Sequence, residues 1–239
     1  MSAEQKVAIV TGASQGIGAG ILGAFRDRGY RVVATSRSIK PSADSGVLTV
    51  QGDIGAADTA ERVFKAALDQ FGRVDTLVNN AGMFMAKPFT LYSPDDYALY
   101  MSTNVTSFFH MTQRALDVMS KQGSGHVVTI TTSLVDQPMS SVPAALASLT
   151  KGALSAATKA LAIECARTGI RVNAVSPGII KTPMHPKEAH QALAALHPMG
   201  RMGEVSDIVD AVFYLDGAEF VTGEILHVDG GQAAGHHQM

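Results

Sequence analysis

The stretch TGASQGIG, Thr11 to Gly18, puts Gly12, Gly16 and Gly18 at a strand-to-helix turn directly after the apolar run KVAIVT. Without Cβ atoms the backbone can turn sharply and approach a bound group closely. The amides and dipole of the following helix then point at negative charge, as a pyrophosphate requires. A second anion-seeking group follows in ATSRSIK, where Arg37 offers a planar fork, Ser36 and Ser38 add hydroxyl donors and Lys40 adds charge. A solvated surface arginine is the other reading of Arg37. Three histidines, His185, His190 and His197, lie in one segment and titrate near neutrality, which suits acid–base work. Each also reads as a surface or capping residue of the amphipathic stretch HPKEAHQALAALHP. No carboxylate or thiolate at ligand spacing makes them a zinc set, so no metal is expected.

Such groups need elements that bring them together. The runs KVAIVT, RVVATS, VLTVQ, VDTLVN, HVVTIT, IRVNAVS and EILHV read as strands, and their continuous apolar character suits strands covered on both faces. Helical periodicity fills Gly16 to Arg28, Ala57 to Phe71, Pro94 to Ser120, Pro143 to Thr168 and Glu204 to Leu215. The alternation predicts an α/β fold: a Rossmann-type, doubly wound parallel sheet whose ligands bind beyond the carboxyl ends of the strands. Arg37 to Gly46 contains Pro41 and is too short for a good crossover helix, so a loop or a single turn is expected there. No linker divides the 239 residues, and one domain is expected, with a covering segment at about 182–201 and a loose tail at about 232–239.

Composition narrows the function. A net charge of -2 without a local Lys/Arg cluster gives no attraction for nucleic acid or an anionic membrane. The single cysteine, Cys165, falls in an apolar helical pattern and is expected to be an inert buried thiol in a reducing compartment. The start of the chain passes into an apolar strand without a signal-like segment, and no apolar run reaches the length of a membrane span, so a cytoplasmic protein is expected.

The glycine turn resembles the TGxxxGxG motif of the short-chain dehydrogenase/reductase family. Further landmarks follow in that family's order: NNAG at Asn79 to Gly82, Asn104 in STNV, Ser133 after the fifth strand, RVNAVSPG at Arg171 to Gly178 and VTGEILHVDGG at Val221 to Gly231. The resemblance spans Lys6 to Gly231 and implies a nicotinamide cofactor and a small-molecule substrate. It implies that Gly12, Gln15, Gly16, Ile17 and Gly18 hold the pyrophosphate, that Asp53 and Ile54 meet the adenine, that Asn79 adjoins the ribose region, and that Ala81 and Gly82 also belong to the cofactor site. Pro177, Gly178, Ile180 and Thr182 would flank the nicotinamide. Asp53 could instead cap the segment opened by GDI, and Asn79 could tie neighbouring strands through backbone hydrogen bonds. At the end of the second strand Ser36 and Arg37 stand where NAD would call for a carboxylate, so NADP is expected, with NAD as the alternative.

The resemblance also implies catalysis by Asn104, Ser133, a Tyr and Lys151. In that scheme the Tyr moves the proton, Ser133 polarises the carbonyl, Lys151 lowers the Tyr pKa and binds the ribose, and Asn104 holds a water. Tyr and Lys must lie four apart to share a helix face. Ala147 occupies that place, and none of Tyr30, Tyr92, Tyr97, Tyr100 and Tyr214 has a Lys four residues later. Three readings stand: an oxidoreductase with an atypical proton donor, such as a water relaying from Lys151 or one of the three histidines; a nucleotide-binding protein that senses cofactor without turnover; and an engineered substitution. The small, apolar surroundings AALASL suit a natural alanine. The helix from Pro143 to Thr168 is richer in Ala and Leu than one buried face needs, and its family counterpart packs on a symmetry mate, which implies a homotetramer.

Overall fold

The computed structural model describes residues 5–235. Seven parallel strands, β1 (Val7–Thr11), β2 (Arg31–Ser36), β3 (Val47–Gln51), β4 (Thr76–Asn79), β5 (Gly125–Ile130), β6 (Ile170–Pro177) and β7 (Ile225–Val228), form one sheet in the order β3-β2-β1-β4-β5-β6-β7. Each is a β-branched run, and alternate residues leave on opposite faces. Ile9, Leu77, Val127 and Val172 therefore meet α2 (Ala57–Phe71) and, further along the chain, the long helices of that face. Ala8, Val10, Val32, Val78 and Val128 meet α1 (Gly16–Asp27) on the other.

The helices start and stop where local chemistry directs. Pro94 opens α3 (Pro94–Tyr100) behind a capping box in which Ser93 and Asp96 satisfy each other's backbone amides at 3.1 and 2.9 Å. Gly72 ends α2 in the left-handed region, and Gly123 does the same for α4 (Ser107–Gln122). The expected single helix from Pro94 to Ser120 is in fact α3 and α4 joined by a π-helical stretch, Met101–Thr106. This inserts an extra residue into the helical path at Asn104, whose side chain is drawn outward to other segments. Pro143 to Thr168 becomes α5 (Ala145–Cys165) with a 3-10 finish, and the covering segment contains a short α6 (His190–Ala194). The final helix is α7 (Val205–Gly217), and between β2 and β3 the chain runs as turns without a helix. Among the described residues no helix is long and apolar enough to cross a membrane.

Part of the stretch expected to be a loose tail is folded. Gln232–Ala234 forms a 3-10 turn because the Asp229 carboxylate accepts from the amides of Gly231 at 2.9 Å and Ala233 at 2.7 Å. Residues 236–239 of that expected tail lie outside the described residues.

The amino-terminal ends of the strands, remote from the glycine turn, carry a buried polar network. Asp216, at the end of α7, accepts from Tyr30 at 2.7 Å, Thr76 at 2.8 Å and His126 Nδ1 at 3.3 Å. Asn173 donates to His126 Nε2 at 3.1 Å, and the Asn173 orientation is set because its Oδ1 accepts from the Glu224 amide. His126 is thus neutral, with its hydrogen on Nδ1. Burial pulls its pKa below 6.5. Burial pushes Asp216 upward, but the bonds from His126, Tyr30 and Thr76 outweigh it and hold the acid at about 2. The unfolded chain protonates His126 below 6.5 while the folded chain resists, so its contribution to stability is complete above 6.5 and is lost as pH falls toward the depressed value. The melting temperature should therefore drop between pH 7 and pH 5. His126→Gln, which can keep both hydrogen bonds without titrating, should show a smaller drop in differential scanning calorimetry.

Candidate functional site

The carboxyl ends of β1, β2, β4, β5 and β6 open onto a cleft of about 620 Å³. At one end the chain turns through Gly12 and Gly16, both at positive φ, into the N-terminus of α1. A methyl group on Gly18 would overlap the carbonyl oxygen of Gly12, so the helix can pass this close to the turn only with glycine there. Gln15 caps α1 without using its side chain, and no acid stands in the first turn. The amides of that turn are therefore left for an anion, with Ser14, Gln15, Gly16 and Ile17 on the cleft wall. Ser36, Arg37 and Ser38 line the same end, and the Arg37 side chain is exposed with no carboxylate on the adjoining wall. These features fit the diphosphate and ribose of a dinucleotide.

The glycine turn is held by residues that the sequence did not single out. Thr11 Oγ1 accepts from the amides of Asn80 at 3.0 Å and Ala81 at 2.9 Å and donates to Val78, while Asn80 Nδ2 donates to the Thr11 carbonyl at 2.8 Å. Asn80, not Asn79, ties β1 to β4. Asn79 is buried on the other side, donating to Thr112 at 2.9 Å, and does not line the cleft. Asp53 closes a tight turn onto the Gly55 amide at 3.0 Å, leaving its neighbours Gly52 and Ile54 on the cleft wall. Ala81, Gly82, Pro177, Gly178, Ile180 and Thr182 all line the cleft.

In the middle of the cleft stand Ser133, Ala147 and Lys151. Lys151 is 8% exposed, and its Nζ donates to the Ile130 carbonyl at 2.7 Å. The space for it exists because residue 82 is glycine: a Cβ there would lie 2.8 Å from Nζ and 3.3 Å from Asn104 Oδ1. Burial without a carboxylate partner lowers the Lys151 pKa to about 8. Asn104 stands behind the wall, accepting from the Met83 amide at 2.9 Å and donating to Thr150 at 3.0 Å, so the π-helical stretch anchors Met83 and α5 together. Ala147 is 1% exposed and packs with Tyr100, Leu134, Leu146, Met139 and Val142. The buried Tyr100 hydroxyl, whose pKa burial pushes up to about 12, is occupied by both the amide and the carbonyl of Met85 and does not line the cleft. Ser133 opens a 3-10 turn after β5 and donates to Gln232 at 2.8 Å.

The three histidines separate. His185 lines the cleft half-buried, and burial, aided by the neighbouring His190, lowers its pKa. His190 donates to the His185 carbonyl at 3.1 Å. His197 is buried outside the cleft, where its Nε2 accepts from the Ile179 amide at 2.9 Å. Among the described residues no group of three His, Cys, Asp or Glu side chains is placed to hold a metal.

A glycine turn at the head of a parallel sheet, opening on a cleft with a buried lysine, defines a Rossmann-type dinucleotide protein. Residues 12–233 match the family model described as Enoyl-(Acyl carrier protein) reductase. The chain is 35% identical over 244 residues to the 3-oxoacyl-[acyl-carrier-protein] reductase FabG of Vibrio cholerae, covering 97% of this chain and 98% of the relative. A structure of a Tyr-to-Phe variant of ElxO with NADPH bound superposes with a TM-score of 0.91 at 28% identity, covering 97% of this chain and all of that one. The 3-ketoacyl-(acyl-carrier-protein) reductase from Brucella melitensis, complexed with NADH, superposes with a TM-score of 0.89 at 30% identity over 96% of this chain and 99% of that one. The chain belongs to the short-chain dehydrogenase/reductase family of oxidoreductases.

If the glycine turn is the dinucleotide site, crowding it should weaken binding, and because a methyl at residue 18 would also lie 2.5 Å from Asn80 Nδ2, a melting curve accompanies the titration. Gly18→Ala is expected to weaken NADPH binding at least tenfold in a fluorescence titration, because its methyl forces the Gly12 carbonyl out of place.

Proposed function

We propose that this chain is an NADP(H)-dependent oxidoreductase that interconverts a carbonyl and an alcohol, with Lys151 as the group that exchanges the proton. One observation carries the reading: among the described residues the ionisable side chains on the cleft wall are Arg37, Lys151 and His185, with no tyrosine, cysteine or carboxylate lining it. A bound nicotinamide dinucleotide supplies or takes the hydride. At a pKa of about 8, Lys151 carries both protonation states in useful amounts near neutrality, which an ordinary lysine does not. The alanine at 147 removes the side chain that would otherwise reach from this amine to the substrate oxygen, and a water spans that distance. His185 is the second acid on the wall, and its lowered pKa leaves it mostly neutral at pH 7.

The absence of an acid at the end of β2, with Ser36, Arg37 and Ser38 on the wall, supports a 2′-phosphate and hence NADP over NAD. Met83, Phe84, Leu134, Met139, Val142 and Met184 line the rest of the cleft and suit a small apolar substrate. Leu149 and Ile163 on α5 and Phe109 on α4 remain exposed, which supports the homotetramer. A second reading, a cofactor sensor without turnover, is favoured by the apolar packing of the Ala147 methyl, which puts no protic side chain between Lys151 and the cleft.

Arg37→Asp should lower NADPH affinity at least tenfold and spare NADH, as read in parallel fluorescence titrations. The proton donor is read from pH dependence and from restoring the phenol. With Lys151 as the acid, ketone reduction needs the ammonium, so its rate should fall as pH rises through about 8, and His185→Ala should leave that limb in place. A limb below 6.5 would assign the proton to His185 instead. General acids contribute about 10²–10⁴ in rate, so Ala147→Tyr should raise reduction of a reactive ketone at least tenfold. Where the cleft does not admit the ring, overpacking of the apolar cluster around residue 147 should cost about 1–3 kcal/mol of stability, so a melting curve accompanies the kinetics. A folded, NADPH-binding Ala147→Tyr protein with no gain on any carbonyl or alcohol, beside an inactive parent, would favour the sensor.

A further inference from the structure

The residue after the Asp229-Gly230-Gly231 turn faces the reaction cleft. Gly230 and Gly231 both take positive φ, and the Asp229 carboxylate holds the amides on either side of Gln232. This drives the Gln232 side chain inward, where it is 4% exposed and lines the cleft. Its orientation is dictated by its partners. The Leu196 carbonyl can only accept, so Nε2 must face it, at 3.0 Å. Oε1 then faces Ser133 at 2.8 Å and can itself only accept, so the Ser133 hydroxyl must donate to it. Room for this arrangement is kept by Gly178, where a Cβ would lie 3.0 Å from Gln232 Oε1 and 2.8 Å from His197 Nε2.

Ser133 has one hydrogen, and Gln232 takes it. What Ser133 turns to the cleft is therefore a lone pair. We infer that Gln232 is a positioning residue that makes Ser133 an acceptor toward the bound substrate, so that the site holds an alcohol in preference to the ketone of the same skeleton. An alcohol O–H can donate to Ser133 Oγ. A ketone oxygen meets two lone pairs facing each other, and the serine can donate to it only by leaving Gln232. The same amide joins Ser133 to the end of the covering segment at Leu196, so the polarity of the serine and the placement of that segment are set by one side chain. The inference rests on the carbonyl/alcohol reading of the cleft.

The test uses two unreactive pairings in calorimetric titrations: 1-indanol with the NADPH-loaded protein and 1-indanone with the NADP-loaded protein. The readout is how the ratio of the two affinities changes between parent and variant, so the different cofactor states cancel. Gln232→Met, close in size and with only a weak thioether acceptor, largely frees the Ser133 hydrogen and should shift the ratio toward the ketone about fivefold, the worth of roughly one neutral hydrogen bond. Gln232→Glu keeps an oxygen that accepts from Ser133 in either protonation state, and should preserve the preference for the alcohol. Ser133→Ala should remove the preference, and Gln232→Met should add nothing on top of it, as expected if Gln232 acts through the serine. A parent protein that binds both probes, with a ratio unchanged in a folded Gln232→Met variant, overturns the inference alone. A ratio shifted equally by Gln232→Met and Gln232→Glu also overturns it, since loosening of the covering segment would then explain both. A parent that binds dinucleotide but neither probe removes the carbonyl/alcohol reading and the inference with it.

Discussion

The burial of the Lys151 amine against a single backbone carbonyl is the constraint around which the cleft is arranged. An ammonium in that position has no carboxylate to offset its desolvation, so its surroundings must supply both a fixed acceptor and room. The end of β5 supplies the acceptor at Ile130. Glycine at 82 supplies the room, and the π-helical stretch at Asn104 pins the neighbouring Met83 backbone so that the room is maintained. The result is an amine whose proton is held weakly, at a place in the fold where the chain carries a methyl group one turn away.

Polar groups elsewhere are satisfied in ways that leave little choice of orientation. At the amino-terminal ends of the strands, Asp216 gathers three donors, and Arg171 donates to the carbonyls of Leu215 at 2.6 Å and Asp216 at 2.8 Å, so α7 is fastened to β4, β5, β6 and the residue before β2 together. At the cleft edge, the Thr11 and Asn80 bonds lock the glycine turn, and Gln232 locks the serine. The two ends of the strands do opposite work. The amino-terminal end joins its polar groups to one another, and the carboxyl end leaves the amides of α1, the Arg37 fork and one lone pair of Ser133 facing the cleft. A parallel sheet makes this division natural, because helices cover both faces and only the strand ends remain to carry either function.

The alanine at 147 changes what the remaining groups must do. Among the described residues no phenol lines the wall, and its ionisable groups are a lysine softened by burial, a half-buried histidine and an exposed arginine at the far end. Apolar side chains from three segments, Tyr100, Leu134 and Met139 among them, close around the methyl. The Lys151 amine in this site is thus perturbed by desolvation and not by a paired charge.

By itself the sequence determined what depends on short-range chemistry. The seven strands, the bounds of α2, the helix-free link from Arg37 to Gly46 and the glycine turn all follow from β-branched runs, amphipathic periods and residues with special backbone freedom. That alanine stands where the resemblance places a tyrosine is also read directly from the sequence, because a spacing of four is a property of one helix. Tertiary structure decided what depends on groups far apart in the chain. Asn80 rather than Asn79 stitches the turn, since which of two adjacent asparagines faces β1 depends on how β4 seats beside it. The π-helical break at Asn104 answers partners at Met83 and Thr150 that no helical period anticipates. Lysine 151 acquires its lowered pKa, and Ser133 its direction through Gln232, only when separate strands and the C-terminal turn converge, because desolvation and hydrogen-bond geometry exist only in the packed molecule.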